Sequence, residues 1–286
     1  IYLEYAYGIL ENEDETLEDN SRHIPSAGLT YWFTPRWGSE LTLSYTNAEY
    51  EREDEFVGEP SDDFEQANGS IRLIKRFTRQ FEGNLTYSHV YVDFETTEED
   101  YQIYNPSVGF DYSIAQDKRI ALDVGYFVQD NSKRVGDIDD ESGITADAVF
   151  EKTFQRSSIS LLGATGYDGV YFGAENLGLS RFYETGLEAD YNLTRRVTGD
   201  IFGSYRQDKY EDEGPALPGR RDKTTRGGVG LTYEYERWLS SNINFSIRVE
   251  YSYRNFNSTI DTTDYVENRG LLTITLTRSQ PYRSGN

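Results

Sequence analysis

The chain of 286 residues contains no cysteine and no methionine, and it has only two histidines and seven prolines. The absence of cysteine excludes a disulfide framework and every metal or redox site built on thiolates. Since no run of 18 apolar residues occurs, the sequence predicts no membrane-spanning helix. A recognisable secretory leader is also missing, and the chain opens on the strand-like segment IYLEYAYGI. If the protein is secreted, we therefore expect this chain to be a processed form.

Positive charge is scarce, with 28 Lys and Arg against 50 Asp and Glu, so that the net charge is -22. A chain of this charge repels the phosphate backbone, which argues against nucleic acid as a partner, and we predict none. The acidic residues are concentrated, and 28 of the 50 lie in six short segments: residues 10–20, 51–63, 93–100, 136–141, 208–214 and 261–264. These segments are either solvated loops or a functional surface that binds lipopolysaccharide phosphates through divalent cations.

Aromatic residues are abundant at 15%, and they alternate with polar residues rather than forming continuous apolar runs. The segment that starts at Ile243 shows the pattern well, because its odd positions carry Ile, Phe, Ile, Val, Tyr and Tyr while its even positions carry Asn, Ser, Arg, Glu, Ser and Arg. Apolar residues at every second position indicate a β-strand with one apolar and one polar face. The same period recurs along almost the whole chain.

Successive strands are joined alternately by short and long connections. The short ones carry Arg or Lys, as in the segments FTPRW and FTRQ, at residues 34–37, 77–80, 193–196 and 235–238 among others. The long ones are the acidic segments and residues 169–178. Corresponding hairpins recur about every 40 residues, a period that also suits a propeller. A propeller blade needs four short strands in that length, whereas this repeat holds two strands long enough to cross a membrane.

These patterns predict an all-β fold: a closed, antiparallel transmembrane β-barrel of about 14 strands, with residues 1–286 forming a single domain. Because the strand number is even, both termini fall at the end of the barrel that carries the short turns. In bacterial outer-membrane barrels this end is periplasmic, so we expect the long acidic loops on the extracellular side. Aromatic residues near strand ends match interfacial girdles, and charges deep within the strands suit a lumen better than a packed core. A large soluble β-sandwich or barrel is the alternative.

If the apolar positions face lipid, the opposite positions line the lumen. The arginines with this parity are Arg72, Arg76, Arg206, Arg226, Arg248, Arg254 and Arg269. The acidic residues chosen with them as lumen candidates are Glu188, Asp190, Glu234, Glu250 and Glu267, and ten further acids share the parity: Glu4, Glu40, Glu82, Asp111, Asp123, Asp147, Glu151, Glu184, Asp200 and Glu236. Fifteen acids against seven arginines favour cations. Four of the arginines, on three adjacent strands, either orient a polar or anionic solute or form neutralising ladders with carboxylates.

Three stretches resemble a family of outer-membrane β-barrel porins: the repeated turns, residues 166–199 (GYDGVYFGAENLGLSRFYETGLEADYNLTRRVTG), and residues 261–276 (DTTDYVENRGLLTITL). The resemblance extends over most of the chain, and its motifs are structural. It implies a porin fold and a location in the bacterial outer membrane. Members of that family are often encoded beside genes for exopolysaccharide synthesis and export. The resemblance therefore implies that the chain transports a polysaccharide or binds a periplasmic export partner.

No catalytic or metal motif accompanies these features. His23 and His89 are the only histidines, both are expected in or near loops, and no nucleophile elbow occurs. The acidic segments 51–63 and 137–142 lack the spacing of a calcium loop, so we predict no metal site and no cofactor. The sequence thus predicts a monomer-capable, non-enzymatic channel for a polar solute or polysaccharide. A docking barrel without a solute path and a hydrolase at the barrel rim are the alternatives.

Overall fold

The computed structural model describes residues 1–10, 19–51, 63–94, 100–131, 141–172, 175–210, 219–238, 243–259 and 264–278. No helix among these residues is both long and apolar enough to cross a membrane. The acidic segments predicted as long connections fall largely between the described ranges, and the two candidate calcium segments lie almost entirely outside them.

Fourteen β-strands fill the described ranges, which confirms the predicted strand number. Their bounds are β1 Tyr2–Leu10, β2 Asp19–Thr34, β3 Trp37–Glu51, β4 Phe64–Arg76, β5 Phe81–Phe94, β6 Tyr101–Ala115, β7 Lys118–Asn131, β8 Ser142–Thr153, β9 Ser157–Phe172, β10 Glu175–Asn192, β11 Val197–Tyr210, β12 Arg221–Trp238, β13 Ile243–Ser258 and β14 Tyr265–Arg278. Lengths run from 9 to 18 residues, so nearly all are as long as a strand that crosses a bilayer at a tilt.

The strands form one sheet in the order β1 to β14, without a crossover. Pairing is antiparallel along β1 to β6 and along β11 to β14. Each of these strands therefore pairs with its neighbours along the chain, as expected for a succession of hairpins.

The chain divides into two compact units. Unit 1 comprises Ile1–Ser113, Ala121–Asp147 and Thr165–Arg181; unit 2 comprises Ile114–Ile120, Ala148–Ala164 and Phe182–Asn286.

On β13 of unit 2 the two faces of the sheet have an inverted pattern of burial. On β13, Val249 and Tyr251 are 55% and 50% exposed, whereas Arg248 and Glu250 between them are half-buried. Residues of this apolar face on β12 and β14 are equally exposed, and on β14 the polar face is exposed as well. A soluble protein would bury the apolar side and expose the charges. A sheet whose apolar face meets lipid gives the observed pattern.

Unit 1 shows the same inversion on β3 to β6. Leu43, Leu85 and Val108 are 50%, 57% and 61% exposed on the apolar face. The opposite, polar face carries Glu40 and Arg72, which the register places side by side on β3 and β4. The apolar parity predicted from sequence therefore holds on these strands.

The polar face of unit 1 also holds an apolar cluster, which the sequence analysis did not predict. It lies where β3 to β7 approach their long connections, and Phe127 and Val92 in it are fully buried. The phenyl ring of Phe127 packs 4.5 Å from the ring of Tyr167, centroid to centroid. We call it the aromatic cluster; its members are Ala48, Phe64, Val92, Phe94, Tyr101, Ile103 and Phe127, with Val90 and Tyr167 packed against it. The face predicted to be a polar lumen lining is thus apolar at this end.

Three of the short turns share one hydrogen-bond pattern, in which a threonine side chain accepts from two backbone N–H groups. The hydroxyl oxygen of Thr34 accepts the backbone N–H groups of Arg36 and Trp37, at 3.2 and 3.0 Å. Thr78 accepts from the residues two and three positions later at 3.1 and 3.0 Å, and Thr194 does so at 3.1 Å in both cases. These bonds satisfy amides that the ladder leaves unpaired at the reversal.

Two local expectations are wrong. The short turn expected at residues 235–238 belongs to β12, because Tyr235 pairs with Phe245 and Trp238 pairs with Ile243 across a register shift. The histidines expected in or near loops lie within strands, His23 in β2 and His89 in β5. Their rings contact tyrosines: His23 lies 4.6 Å from Tyr7, and His89 lies 4.9 Å from Tyr104.

Candidate functional site

A polar cavity of about 350 Å³ lies on the polar face of unit 1. Strands β3 to β8 each contribute to it, because residues at matching register positions on neighbouring strands point to the same side of a sheet. Its lining consists of charged groups and hydroxyls: Glu40, Thr42, Ser70, Arg72, Thr86, Ser107, Asp123 and Asp147. Three carboxylates and one guanidinium leave this cavity with a negative charge.

Arg72, the predicted lumen arginine of β4, is held inside this cavity. Its Nη2 lies 3.7 Å from Asp123 Oδ2. The side-chain amide of Asn84, oriented with its nitrogen toward Asp123, donates to Asp123 Oδ1 at 3.0 Å and accepts from Arg72 Nη2 at 2.7 Å. Asn84 therefore bridges the two charges. Gly109 makes room for this network, because a Cβ there would lie 2.3 Å from the Asp123 carboxyl group.

Arg76, at the short-turn end of β4, forms a separate pair. Its Nε donates to Glu82 Oε2 at 3.0 Å, and its guanidinium lies 3.7 Å from the centre of the Trp32 ring. Both Arg76 and Glu82 are partly exposed, so the pair contributes little to stability. It fixes the guanidinium against the aromatic ring.

On the polar face of unit 2, Arg248 is fully engaged by carboxylates. Its Nη1 and Nη2 donate to Asp200 Oδ1 and Oδ2 at 2.7 and 2.8 Å, and its Nε and Nη2 donate to Glu250 Oε2 at 3.0 and 2.8 Å. Asp200 is on β11 and Arg248 is on β13, so this bidentate pair passes over β12. The strand between them carries Gly230, where a Cβ would lie 2.5 Å from Asp200 Oδ2 and 2.8 Å from Arg248 Nη2. The glycine makes the bridge possible.

Arg206 of β11 is also neutralised. Its Nη2 donates to Asp208 Oδ1 at 2.7 Å, its Nη1 lies 3.9 Å from Glu184 Oε2, and its guanidinium lies 4.2 Å from the centre of the Phe182 ring. Because two carboxylates and an aromatic ring contact the guanidinium of Arg206, its positive charge is largely neutralised within the protein.

Three other predicted arginines of unit 2 lack this engagement. Arg226 on β12 stands directly opposite Arg254 on β13, and Arg269 on β14 stands opposite Ser252, two positions from Arg254. Among the described residues, the structure forms no ion pair within 4.0 Å for any of these three arginines. Two predicted acids lie beside them: Glu267 stands opposite Arg254, and Glu250, which is bound to Arg248, lies diagonally from Arg269. We call Arg226, Arg254 and Arg269 the arginine triad.

The remaining predicted acids of unit 2 are dispersed. Asp190 on β10 accepts a hydrogen bond from the Ser158 hydroxyl, and Glu188 on the same strand is exposed. Glu234 stands opposite Ser246 and is exposed, whereas Glu250 pairs with Arg248. The structure therefore brings the arginines of β12 to β14 together as expected, but it does not join the acids into one site.

A buried charge cluster beside a long connection of unit 2 was missed in the sequence analysis. Asp222 is 2% exposed and lies 2.9 Å from Arg220 Nη2, and the Tyr210 hydroxyl donates to Asp222 Oδ2 at 3.0 Å. Arg220 lies outside the strands. Burial alone would lower the pKa of its guanidinium, but the hydrogen bond to Asp222 and the charge of Asp222 together outweigh that effect, so the pKa is raised overall. Residues 208–209 (DK) and 220–222 (RRD) show no alternation of apolar and polar residues that could have revealed this pairing.

None of the described residues forms a group of three or more His, Cys, Asp and Glu side chains able to hold a metal ion. The side chains that line the polar cavity of unit 1 are carboxylates, a guanidinium and hydroxyls, which can bind a ligand through hydrogen bonds and charge.

Comparison with known proteins agrees with this architecture. Residues 176–278 match the family described as "Putative beta-barrel porin 2". No curated protein sequence matches the chain.

Two solved structures share the fold. The FrpB iron transporter from Neisseria meningitidis (F3-3 variant) has a TM-score of 0.58 and 8% identity, with 87% of this chain and 45% of that chain covered. The copper transporter OprC has a TM-score of 0.54 and 12% identity, with 90% and 50% covered. The chain has an outer-membrane β-barrel porin- or transporter-like fold. It spans about half the length of these two transporters, and the matches point to the bacterial outer membrane.

Proposed function

We propose that the chain is a closed outer-membrane β-barrel that acts as a passive, non-enzymatic channel for polar solutes, with an exported polysaccharide or its fragments as cargo. One observation carries this proposal: the apolar face is exposed, while the opposite face protects charged and hydroxyl side chains and holds a polar cavity. In lipid, backbone edges must pair, so that closure of the sheet is the stable arrangement.

The orientation follows from the connections. The short, threonine-capped turns lie on the periplasmic side and the opposite strand ends at the exterior. We expect the acidic segments between those ends, which fall largely outside the described residues, to bind lipopolysaccharide phosphates through divalent cations. The resemblance of the turns and of residues 166–199 to porins associated with polysaccharide export supports the choice of cargo. The hydroxyls of Thr42, Ser70 and Thr86 beside carboxylates suit a polyhydroxylated solute.

Planar-bilayer conductance tests the channel directly. The purified chain is expected to give discrete conductance steps with a preference for cations, because acids outnumber arginines on the polar faces. Absence of conductance, both in the intact chain and after deletion of the long acidic connections, would contradict the open-channel proposal.

The lack of native cysteine allows a sharp test of the two faces. Leu43→Cys on the apolar face is expected to react with a lipid-soluble maleimide, whereas Thr42→Cys, next to it on the polar face, should react with a charged thiol reagent from the aqueous phase. Both variants keep the strand and differ by one position. Equal reactivity of the two variants toward both reagents would refute the assignment of faces.

A docking barrel is the second candidate function, and the aromatic cluster favours it. Side chains such as Phe127 and Val92 fill part of the polar face of unit 1, as expected if the protein anchors an envelope assembly rather than conducting. Under this alternative a periplasmic partner co-purifies in stoichiometric amount and the bilayer current is absent. Conductance without a stoichiometric partner would exclude it.

The structure also gives no support for the hydrolase alternative. Both histidines contact tyrosines on the apolar face of unit 1, away from the carboxylates of the cavity. Replacing both, as His23→Gln and His89→Gln, is expected to leave conductance unchanged. A hydrolytic activity on envelope substrates that disappears in this double variant would favour the enzyme instead.

A further inference from the structure

We propose that the arginine triad, together with two aromatic rings beside it, forms a binding site for a segment of acidic polysaccharide. This inference rests on the proposed channel function, since it names the class of cargo, and it is drawn from charges and rings on the polar face of unit 2.

The first support is positive charge that no ion pair among the described residues neutralises. Arg226 and Arg254 stand directly opposite each other on β12 and β13, a position in which Cβ atoms are about 5 Å apart. Arg269 lies diagonally from Arg254, at about 7–8 Å by the same geometry. Like charges at such spacing repel one another, so the arrangement is stabilised when an anion lies between them.

The second support is the contrast with neighbouring arginines. Six positions before Arg254 on β13, Arg248 is bound by both Asp200 and Glu250, and Arg206 on β11 is bound by Asp208. The sequence therefore supplies carboxylates where an arginine is to be neutralised within the protein. Next to the triad it supplies Glu267, opposite Arg254, and Glu250, diagonal to Arg269 but bound to Arg248. Among the described residues, neither forms an ion pair within 4.0 Å with a triad arginine. The Nε of Arg254 is buried without a hydrogen-bond partner.

The third support identifies a carbohydrate rather than a small anion. The register places Phe256 and Tyr265 opposite each other on the same polar face, and their rings stack at 5.2 Å with an interplanar angle of 17°. The Arg254 guanidinium lies 5.3 Å from the centre of the Tyr265 ring. Aromatic faces pack against the C–H faces of sugar rings, while guanidinium groups pair with carboxylates through charge-assisted hydrogen bonds. Together these groups match a polymer that carries both features.

Isothermal titration of the detergent-solubilised chain with hexagalacturonate provides the test, and the fully methyl-esterified hexamer serves as its uncharged counterpart. The intact chain is expected to bind the acid form at least about tenfold more tightly than the ester, because each charge-assisted hydrogen bond is worth more than a neutral one. Binding of the acid form should weaken as salt concentration rises.

Two variants assign this binding to the triad. Arg226→Gln combined with Arg254→Gln is expected to weaken hexagalacturonate binding by about tenfold or more. Lys223→Gln removes a positive charge from the opposite face of β12 and should leave it unchanged. Arg254→Lys keeps the charge but loses the planar fork, so an intermediate affinity is expected. Heat-dependent mobility in gel electrophoresis verifies folding of each variant.

Equal affinity for acid and ester, or equal weakening by Lys223→Gln and by the double arginine change, would overturn the proposal. Conductance separates this failure from failure of the channel function. A chain that conducts without preferring the acid form contradicts only the binding site, whereas a chain that binds the acid form through the triad without conducting contradicts only the channel.

Discussion

Asp200 on β11 and Arg248 on β13 form a bidentate ion pair over Gly230 of the intervening strand, with N–O distances of 2.7 and 2.8 Å. The pair depends on a position without a side chain. It neutralises Arg248, in contrast to the arginines of the triad.

Gly230→Ala is expected to break this bridge, because the added Cβ would lie within 3 Å of both partners. Both side chains are partly exposed, so the free energy of unfolding should fall by only about 1 kcal/mol. The urea midpoint measures the loss. Gly163→Ala, where no atom lies within 4 Å of the new Cβ, is the control, and identical midpoints for the two variants would contradict the role of the glycine.

Arg248→Gln is expected to shift the reversal potential of the channel toward cations, because Asp200 and Glu250 are then left without their counter-charge. The double change Arg248→Gln with Asp200→Asn removes one charge of each sign and should restore a value close to that of the unchanged chain. Should the potential be the same in all three proteins, these residues do not line the conducting path.

Thr194→Ala is expected to lower the free energy of unfolding by about 1 kcal/mol, because two backbone N–H groups lose their acceptor. Thr194→Ser keeps the hydroxyl and should retain most of the stability. Urea unfolding compares the two, and a serine variant as unstable as the alanine variant would show that the hydrogen bonds are not the cause.

Phe127→Ala is expected to cost about 3–5 kcal/mol, the range for a fully buried aromatic residue that leaves a cavity. Phe127→Leu keeps most of the apolar volume and should lose less than half as much. Denaturant titration measures both. A loss below about 1 kcal/mol for the alanine variant would mean that the aromatic cluster is loosely packed.

The strand number and the identity of the apolar face followed from sequence because both depend on period two alone. Leu43 and Val249 lie on the side that alternation assigns to them. The aromatic cluster did not follow, since alternation places every apolar residue on one face. The run Val90-Tyr91-Val92 carried the missing signal, because adjacent apolar residues indicate a strand end that packs on both sides.

The ion pairs between strands could not be predicted from the sequence for a different reason. Asp200 and Arg248 are 48 residues apart, and their contact depends on the registers of two strand pairs and on the space above Gly230. The predicted turn at residues 235–238 failed because an arginine next to an aromatic residue also suits a strand end, where the pairing of β12 with β13 continues beyond Tyr235 and Phe245.

The uninterrupted strand order gives this protein a modular kind of evolvability. Because neighbours in the sheet are neighbours in the chain, duplication or loss of one hairpin removes no long-range crossover and requires only one junction to form anew. Selection can therefore change the width of such a sheet in steps of two strands, while the residues that recognise a ligand on distant hairpins keep their mutual register.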